Sequence, residues 1–259
     1  MTALRLALVQ QTASLDPAEN RDLLSTVADR LEPDTDLVLL PEAFMRDFGS
    51  PGSDIAAFSE PLDGPFVQRL TELAAAERTT VVAGMFEVSD DPQRPFNTLA
   101  VVDDGGLRAS YRKIHLYDSF GYKESDRLSA GELKPVLVEV GGLSVGLMTC
   151  YDLRFPELAR DLVARGAELL VVPSAWVAGE GKVLHWRTLV SARAIENTAY
   201  VAAVGQPGPR YTGHSLVVGP AGELVAEVAD GDRVLTASVS TERLERARAE
   251  NPSLLNRRF

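Results

Sequence analysis

The sequence predicts an α/β protein in which two mixed β-sheets stack face to face between outer layers of helices, a four-layer αββα sandwich. Apolar runs of strand length, such as residues 4–9, are followed by helix-like segments, which indicates βα units with strands buried on both faces. Several strand-like runs also follow one another directly. This arrangement fits two mixed sheets better than an alternating βα barrel.

Two stretches of the chain look like one element used twice. DLVLLPEAF (residues 36–44) and ELLVVPSAW (residues 168–176) each lie downstream of a strand-like run and a helix. Those strand-like runs are LRLALVQ in one case and LSVGLMTC in the other. The pattern predicts two pseudo-equivalent halves. Because no linker-like or low-complexity stretch divides the chain, we expect one domain over residues 1–259.

The first half has several recognisable starts and turns. Asp16-Pro17 is typical of a helix start, and Asp-Asp-Gly-Gly between two β-rich runs predicts a hairpin. The expected strands are residues 4–9, 36–41, 79–88, 97–102 and 107–111, and the expected helices are residues 17–31 and 66–78. Residues 120–131 show no periodicity, so we expect a loop there.

The second half follows the same logic. Pro156 suits the first position of a helix, and Gly166 suits the left-handed position just beyond its end. The expected helices are residues 156–165, 184–197 and 242–250. The expected strands are residues 145–148, 168–176, 199–204 and 234–240, with a hairpin over residues 214–228 that turns at Pro-Ala-Gly-Glu.

Composition excludes some partners. With 45% hydrophobic and 24% charged residues, the chain has an ordinary globular composition. Its formal net charge of −11 argues against nucleic acid and against an anionic membrane surface as partners. The single cysteine cannot form an internal disulfide, and no apolar run has the length of a signal peptide or a membrane span. We therefore expect a cytoplasmic protein.

Cys150 falls at the carboxyl end of a predicted strand, in the connection to the next helix. Open α/β sheets place ligands and catalytic residues there, although a lone cysteine beside an apolar run is more often a small buried hydrophobe. A cysteine nucleophile also needs a base and a positive group that holds the oxyanion. Candidate charged residues that follow predicted strands or lie in the expected loop are Glu42 in LPEAF, Lys113 in YRKIHLYD and Glu124 in GYKESD.

In order and spacing, LLPEAF, YRKIHLYD and TCYDLRFPELAR resemble the motifs of the nitrilase, or carbon–nitrogen hydrolase, superfamily. The likeness continues through PSAW, HWRTLVSARAIENTAYVAA and YTGHSLVVGPAGELV, and so covers nearly the whole chain. The resemblance implies a nitrilase-like αββα sandwich and a Glu-Lys-Cys triad of Glu42, Lys113 and Cys150. It also implies that the protein needs neither a metal nor an organic cofactor.

The resemblance further implies covalent hydrolysis of a small-molecule amide. Glu42 is the implied general base, Cys150 the nucleophile that forms a thioester, and Lys113 the cation that holds the oxyanion together with the backbone N–H of Tyr151. Glu124 matches a second glutamate that orients substrate or relays protons in many members.

Substrate contacts are expected from a few further side chains, namely Arg154, Trp176 and His185. For Arg154, a structural ion pair with Asp152 or with a buried glutamate is an equally open interpretation.

Within the superfamily, KIHLYD and CYDLRFPELAR are most similar to ω-amidases and deaminated-glutathione amidases. Those enzymes hydrolyse terminal carboxamides of small carboxylate-bearing acids. They tend to have Thr-Gly-Pro-Ala before a His-Trp pair, whereas this chain has VAGEGKVL before His185-Trp186. The resemblance places this altered segment, residues 177–184, beside the substrate pocket, which leaves the identity of the substrate open.

Three alternatives remain at this point. Nitrile hydrolysis and N-carbamoyl hydrolysis use the same triad, and a non-catalytic scaffold could keep the same fold. GLSVG also matches the G-x-S-x-G pattern of serine hydrolases, but the apolar residues that follow place Ser144 in a strand or hairpin. The histidines, His115, His185 and His214, lack metal-ligand spacing. His115 and His185 are expected to hydrogen-bond locally, and a structural role is expected for His214, although its segment could line the pocket.

The resemblance also implies a homo-oligomer, a dimer or larger, that pairs through helices near the site. The candidate contact segments are the helix start at residues 154–157 and the tail at residues 251–259.

Overall fold

The computed structural model describes residues 2–258 of the chain. Its strands are β1 (Ala3–Gln10), β2 (Leu37–Leu39), β3 (Thr80–Glu87), β4 (Phe96–Asp103), β5 (Gly106–Arg112), β6 (Asp118–Ser119), β7 (Tyr122–Lys123), β8 (Leu137–Val140), β9 (Leu143–Leu147), β10 (Leu169–Ser174), β11 (Tyr200–Gly205), β12 (Ser215–Val218), β13 (Leu224–Val228) and β14 (Arg233–Ser240). Its helices are α1 (Pro17–Ala28), α2 (Pro65–Glu77), α3 (Pro156–Ala164), α4 (Lys182–Asn197), α5 (Thr241–Glu250) and α6 (Ser253–Asn256). Within residues 2–258, none of these helices combines the length and the apolar character needed to cross a lipid bilayer.

The two large sheets have the same strand order. The first runs β14-β1-β2-β3-β4-β5, with β1, β2 and β3 parallel and the other pairs antiparallel. The second runs β8-β9-β10-β11-β12-β13, with β9, β10 and β11 parallel. Each strand of one sheet thus has a counterpart in the other, which confirms the two pseudo-equivalent halves that the repeated sequence pattern predicts.

Strand β1 shows why its sequence is apolar almost throughout. Leu4, Leu6 and Leu8 join a core that also contains residues of the second sheet, whereas Ala7 and Val9 pack in the cluster beneath α1 and α2. Because successive side chains of a strand point to opposite faces, both faces of β1 are buried. Helices α3 and α4 pack against β9 and β11 on the other side. The layers are therefore helices, sheet, sheet and helices, as predicted.

Several predicted turns and helix ends are confirmed. The Asp103–Gly106 turn joins β4 to β5, and β12 and β13 form the second predicted hairpin. Helix α3 begins at Pro156, and Gly166 beyond its end has a φ of 112°. Ser144 lies in β9, within a β8–β9 hairpin, rather than on a sharp turn into a helix.

Other elements differ from the sequence-based expectation. Where a loop was expected over residues 120–131, the structure has β7, which forms a small hairpin with β6 just before this segment, and then a short 3₁₀ turn at Glu124–Asp126. Two-residue strands are too short to give any periodicity, so the pattern could not show them. Strand β8 is also unpredicted, because it is a partly exposed edge strand that pairs only with β9. Helix α1 ends at Ala28, three residues early, and α4 begins at Lys182, two residues early.

Candidate active site

A cavity of about 390 Å³ opens where the parallel strands of both sheets end. Its wall includes Glu42 after β2, Cys150 after β9 and Trp176 after β10. Lys113, which follows β5, and Glu124 complete the buried end of the cavity. The volume suits a small molecule, and the carboxyl ends of parallel strands are the usual place for a ligand in α/β folds.

Glu42 is almost completely buried, and both of its carboxylate oxygens are held. Oε1 accepts hydrogen bonds from Asn97 Nδ2 at 2.7 Å and from Lys113 Nζ at 2.9 Å. Oε2 accepts the backbone N–H of Ala175 at 2.7 Å. A buried carboxylate with three donors keeps a fixed orientation, because swinging away would leave both the oxygens and the donors without partners.

The turn that carries Glu42 depends on a close approach by Gly84 of β3. A Cβ atom on Gly84 would lie 2.4 Å from the backbone nitrogen of Ala43 and 2.6 Å from Cα of Glu42. Only glycine therefore lets this turn pack against β3, and the neighbouring backbone hydrogen bonds fix it there, from Met45 N to Gly84 O at 3.0 Å and from Gly84 N to Pro41 O at 3.1 Å.

Replacing Gly84 with alanine is expected to displace Glu42. Overpacking of this kind costs ~1–3 kcal/mol of unfolding free energy, and a misplacement of about 1 Å costs roughly 10²-fold in rate. Melting temperature and amide turnover are the measurements. Gly105→Ala is the matched control, because Gly105 is exposed and an added Cβ would meet only the Asp103 side chain, at 3.2 Å. Full activity in Gly84→Ala would contradict this account of the turn.

Lys113 bridges the two buried glutamates. Its Nζ lies 2.9 Å from Glu42 Oε1 and 2.9 Å from Glu124 Oε2, and all three side chains are at most 2% exposed. Burial opposes a charge on the ammonium, but the carboxylates of Glu124 and Glu42 outweigh burial and hold the pKa of Lys113 well above its usual value. Lys113 therefore stays a cation inside the protein, aimed into the cavity.

The environment of Glu124 disfavours its charged form. Burial raises its pKa, and the nearby Glu42 carboxylate adds to this effect, while the Lys113 ammonium opposes it. Its Oε2 also accepts the backbone N–H of Tyr117, which ties the short turn carrying Glu124 to the rest of the site. This end of the cavity therefore brings two carboxylates and one ammonium into contact.

Cys150 sits in a backbone conformation that a side chain rarely adopts, with a φ of 45° at the point where β9 gives way to a 3₁₀ turn, Cys150–Arg154. Such strain is concentrated at functional sites. The thiol and the Glu42 carboxylate line the same cavity. Burial and that carboxylate raise the pKa of Cys150 well above its usual value, against the opposing effect of Lys113. At neutral pH the group is therefore a neutral thiol.

The backbone N–H of Tyr151 belongs to the first turn of that 3₁₀ segment. The N–H groups of a first turn have no partner inside the helix, so they can donate to an anion placed at its start. The Tyr151 side chain lines the cavity and contacts the ring of Tyr117 edge-on, with centroids 5.0 Å apart.

Asp152 holds the turn in place and was not foreseen as a supporting residue. Its buried carboxylate accepts the Tyr111 hydroxyl at 2.6 Å, the Thr149 N–H at 2.9 Å and the His115 N–H at 3.1 Å. Its Oδ1 also contacts His115 Nδ1 at 2.8 Å, the local bond expected for that histidine. Because these groups occupy Asp152, the suggested ion pair between Asp152 and Arg154 is wrong.

Arg154 instead faces the cavity. Its guanidinium carbon lies 4.9 Å from the ring centroid of Trp176, which also lines the cavity. The structure does not bring His185 to the cavity wall: its side chain is exposed, and its Nδ1 is 3.5 Å from an Arg154 nitrogen. His214 Nδ1 contacts Glu227 at 3.1 Å, away from the cavity.

Two further residues that the sequence did not single out support Glu42. Asn97 of β4 donates to Glu42 and, at 3.3 Å, to Glu124, and Gln206 Nε2 donates to the backbone oxygen of Glu42 at 2.9 Å. An asparagine inside an apolar strand was a usable signal for Asn97, because buried amides need partners. Gln206 gave no comparable signal, since it lies just beyond β11 in a polar stretch.

Comparison with known proteins agrees with this geometry. Residues 5–249 match the model of the carbon-nitrogen hydrolase family. The chain is 40% identical to the deaminated glutathione amidase of Escherichia coli O157:H7 over 235 residues, which cover 91% of this chain and 89% of that protein.

It is also 33% identical to the omega-amidase Nit3 of Saccharomyces cerevisiae, over 99% of this chain and 94% of that protein. The crystal structure of yeast Nit3, a member of branch 10 of the nitrilase superfamily, matches with a TM-score of 0.89 over 100% of this chain and 97% of that one.

A further solved structure bears on the chemistry. It is a glutamate-to-glutamine mutant of the amidase from Nesterenkonia sp. AN1, in which the acetamide moiety of fluoroacetamide is covalently added at the active site cysteine. It is 32% identical to this chain, with a TM-score of 0.80 over 96% of this chain and 95% of that one. Taken with the matching fold, these similarities show that the chain belongs to the carbon–nitrogen hydrolase family, also called the nitrilase superfamily.

Proposed function

We propose that this protein is a cysteine amidase that hydrolyses the terminal carboxamide of a small carboxylate-bearing acid, with Glu42, Lys113 and Cys150 as its catalytic residues. The observation that carries the proposal is the meeting of Cys150, Glu42 and Lys113 in one cavity, where the buried Glu42 carboxylate is paired with Lys113 at 2.9 Å. The chain holds no other cysteine. The relatives named as deaminated glutathione amidase and omega-amidase support the choice of substrate class.

The first half of the reaction forms a thioester. Glu42 accepts the thiol proton as Cys150 Sγ attacks the carbonyl carbon, and the new oxyanion is held by the Lys113 ammonium and the Tyr151 N–H. When the tetrahedral intermediate collapses, the C–N bond breaks and the leaving nitrogen takes the proton from Glu42. Ammonia departs, and the acyl group stays on sulfur.

The second half releases the acid. Water attacks the thioester carbon and gives a proton to Glu42, so that the same residue serves as base in both halves. Collapse of the second intermediate breaks the C–S bond, and the thiolate recovers the proton from Glu42. Glu124 keeps Lys113 oriented, because both of its carboxylate oxygens accept hydrogen bonds from the ammonium, at 3.2 and 2.9 Å. No step calls for a metal or an organic cofactor.

A substrate panel tests the proposed function. Succinamate and α-ketoglutaramate are followed by ammonia release and deaminated glutathione by release of its amine, alongside aliphatic nitriles and N-carbamoyl amino acids. We expect the carboxylate-bearing amides to give the highest kcat/KM. A preference for nitriles or carbamoyl compounds would overturn the assignment to amides. A lack of turnover on every class would favour the alternative of a non-catalytic scaffold.

Three broader expectations belong to the same proposal. Residues 1–259 act as one domain, because Glu42 and Lys113 come from the first half and Cys150 from the second. The protein works in the cytoplasm, where a free catalytic thiol stays reduced, and cell fractionation tests this.

We also propose a homodimer or larger assembly that pairs through residues 154–157 and the tail at 251–259. Leu255 in this tail is 84% exposed, which leaves an apolar side chain available to a second copy. Light scattering on the parent and on Leu255→Glu is the test, and a monomer at all concentrations of the parent would contradict it.

A further inference from the structure

Two cationic side chains face the same part of the cavity. The guanidinium carbon of Arg154 lies 5.8 Å from the ring centroid of Phe120, and Nζ of Lys182 lies 3.7 Å from the same centroid. Both residues line the cavity that contains Cys150. Since one aromatic ring contacts both, the two positive groups sit beside each other at one end of the cavity.

Neither cation is neutralised within the protein. Among residues 2–258, no carboxylate oxygen lies within 4.0 Å of the nitrogens of Arg154 or Lys182, and the buried Nε of Arg154 has no hydrogen-bond partner. The other cations of the cavity wall are paired: Lys113 with two glutamates, and Arg210 with Asp47 at 2.8 Å. Partly buried cations are usually paired, so these two stand ready for an external anion.

Neutral groups hold the two cations in position. Nζ of Lys182 lies 3.2 Å from the Tyr117 hydroxyl, and the Arg154 guanidinium stacks near Trp176. Such cation–π and hydroxyl contacts orient a charge without cancelling it. Burial, followed by the nearby Arg154, lowers the pKa of Lys182, which reflects two like charges in a poorly solvated space. An anion between them relieves that repulsion.

We propose that Lys182 is a specificity-determining residue that, together with Arg154, holds a carboxylate at the end of the acyl chain farthest from the scissile amide. Lys182 belongs to the segment 177–184, of which Val177 and Ala178 also line the cavity. The inference rests on the proposed amidase function and deepens it, because it assigns recognition of the substrate carboxylate to a particular side chain.

Kinetics on paired substrates test the role of Lys182. The charged substrate is succinamate, and its neutral partner is the amide of the same length in which a methyl ketone replaces the carboxylate. Loss of a hydrogen bond to a charged group is worth roughly 10–100-fold in equilibrium binding. For Lys182→Met we therefore expect KM for succinamate to rise about 10–100-fold, with kcat and the neutral amide changed by less than about threefold.

Matched variants isolate the charge. Lys182→Arg keeps a cation and is expected to restore KM for succinamate to within about tenfold of the parent. Lys134→Met removes a lysine that is exposed and absent from the cavity wall, so it controls for net charge and is expected to behave as the parent. If Lys182→Met slows both amides equally, Lys182 only supports Phe120 and Tyr117, and the inference is overturned. An unchanged KM for succinamate overturns it as well.

A binding measurement separates this inference from the proposed function. Succinate binding is followed by calorimetry on the parent, Lys182→Met and Lys134→Met, with no turnover required. Weaker succinate binding in Lys182→Met alone supports the anion site even if the parent hydrolyses no amide, in which case only the amidase proposal fails. Amide hydrolysis combined with equal succinate binding in all three proteins overturns the anion site and leaves the amidase proposal standing.

Discussion

Replacing Cys150 with alanine is expected to lower amide turnover by at least about 10⁴-fold, because Glu42 and Lys113 act on the substrate only through the covalent intermediate. The residual rate should reflect positioning and oxyanion contacts alone. Cys150→Ser keeps the size of the side chain but offers a much weaker nucleophile, so a similar loss is expected. Both variants are measured by ammonia release from the best amide of the panel.

Two controls make this result decisive. Both variants should melt within a few degrees of the parent, since the side chain changes by one atom at most. Ser144→Ala tests the rival serine of the GLSVG stretch and should retain activity within about threefold, because Ser144 lies in β9 and does not line the cavity. Activity that survives in Cys150→Ala and vanishes in Ser144→Ala would reverse the assignment of the nucleophile.

Replacing Glu42 with glutamine is expected to lower kcat by about 10³-fold, within the usual range for loss of a general base. The same change should lower the pKa of the Cys150 thiol, which makes the thiolate easier to form even though turnover falls. Burial is the largest cause of the raised pKa of Cys150, and the Glu42 carboxylate raises it further, while Lys113 lowers it. Without the carboxylate, the pKa of Cys150 should fall, and thiolate should form at lower pH than in the parent.

The pKa of Cys150 in the parent and in Glu42→Gln is measured by ultraviolet titration of the thiolate. Cys150 is the only cysteine, so subtracting the titration of Cys150→Ser leaves its signal alone. The parent should show no thiolate near neutral pH, because its pKa is raised well above the ordinary value. A parent that is already a thiolate at neutral pH would contradict the role of Glu42 as the base, since no proton would remain for it to accept.

Much of the fold was open to prediction, because the parallel strands are buried on both faces and leave a strong apolar signature. DLVLLPEAF and its twin ELLVVPSAW occupy equivalent places in the two sheets, at β2 and β10. The proline that ends each apolar run marks the sheet edge where Glu42 and Ala175 meet, joined by a hydrogen bond of 2.7 Å. The repeated pattern of an apolar run ending in proline therefore predicts the sheet edge at which the site lies.

What could not be predicted depends on contacts between distant segments. The carboxylate of Asp152 holds Tyr111 and His115, and Asn97 reaches Glu42 across 55 positions of sequence. The asparagine inside an apolar strand signals only that Asn97 needs a partner, and which partner it finds depends on the position of β4 in the same sheet as β2. The contacts of Asp152 depend on the packing of one sheet on the other, because Tyr111 belongs to β5 and Asp152 follows β9. The cavity contact of Lys182 could not be predicted for a related reason. A lysine at the start of a helix is usually exposed to solvent, and nothing in the sequence shows that Phe120 packs against it.

The segment around Phe120 has no recognisable sequence pattern, although it lines the cavity. It has no periodicity, and the sequence suggests a loop. Its hairpin nevertheless places the 67% exposed ring of Phe120 within 5.8 Å of the Arg154 guanidinium and 3.7 Å of the Lys182 ammonium. Short strands and positive φ angles at Phe120 and Gly121 build this hairpin, and neither has a clear pattern in sequence. Residues that shape substrate choice are therefore the ones that sequence patterns describe least well.

The central claim is that hydrolysis passes through a thioester on Cys150, and partition of that intermediate tests it most directly. The carboxamide and an ester of the same acyl group are each hydrolysed in the presence of hydroxylamine, and the ratio of hydroxamate to free acid is measured. A shared acyl-enzyme predicts the same ratio for both substrates and none of either product from Cys150→Ala. Ratios that differ between the two leaving groups, or acid without hydroxamate, would show that water attacks the substrate directly and would contradict the covalent account.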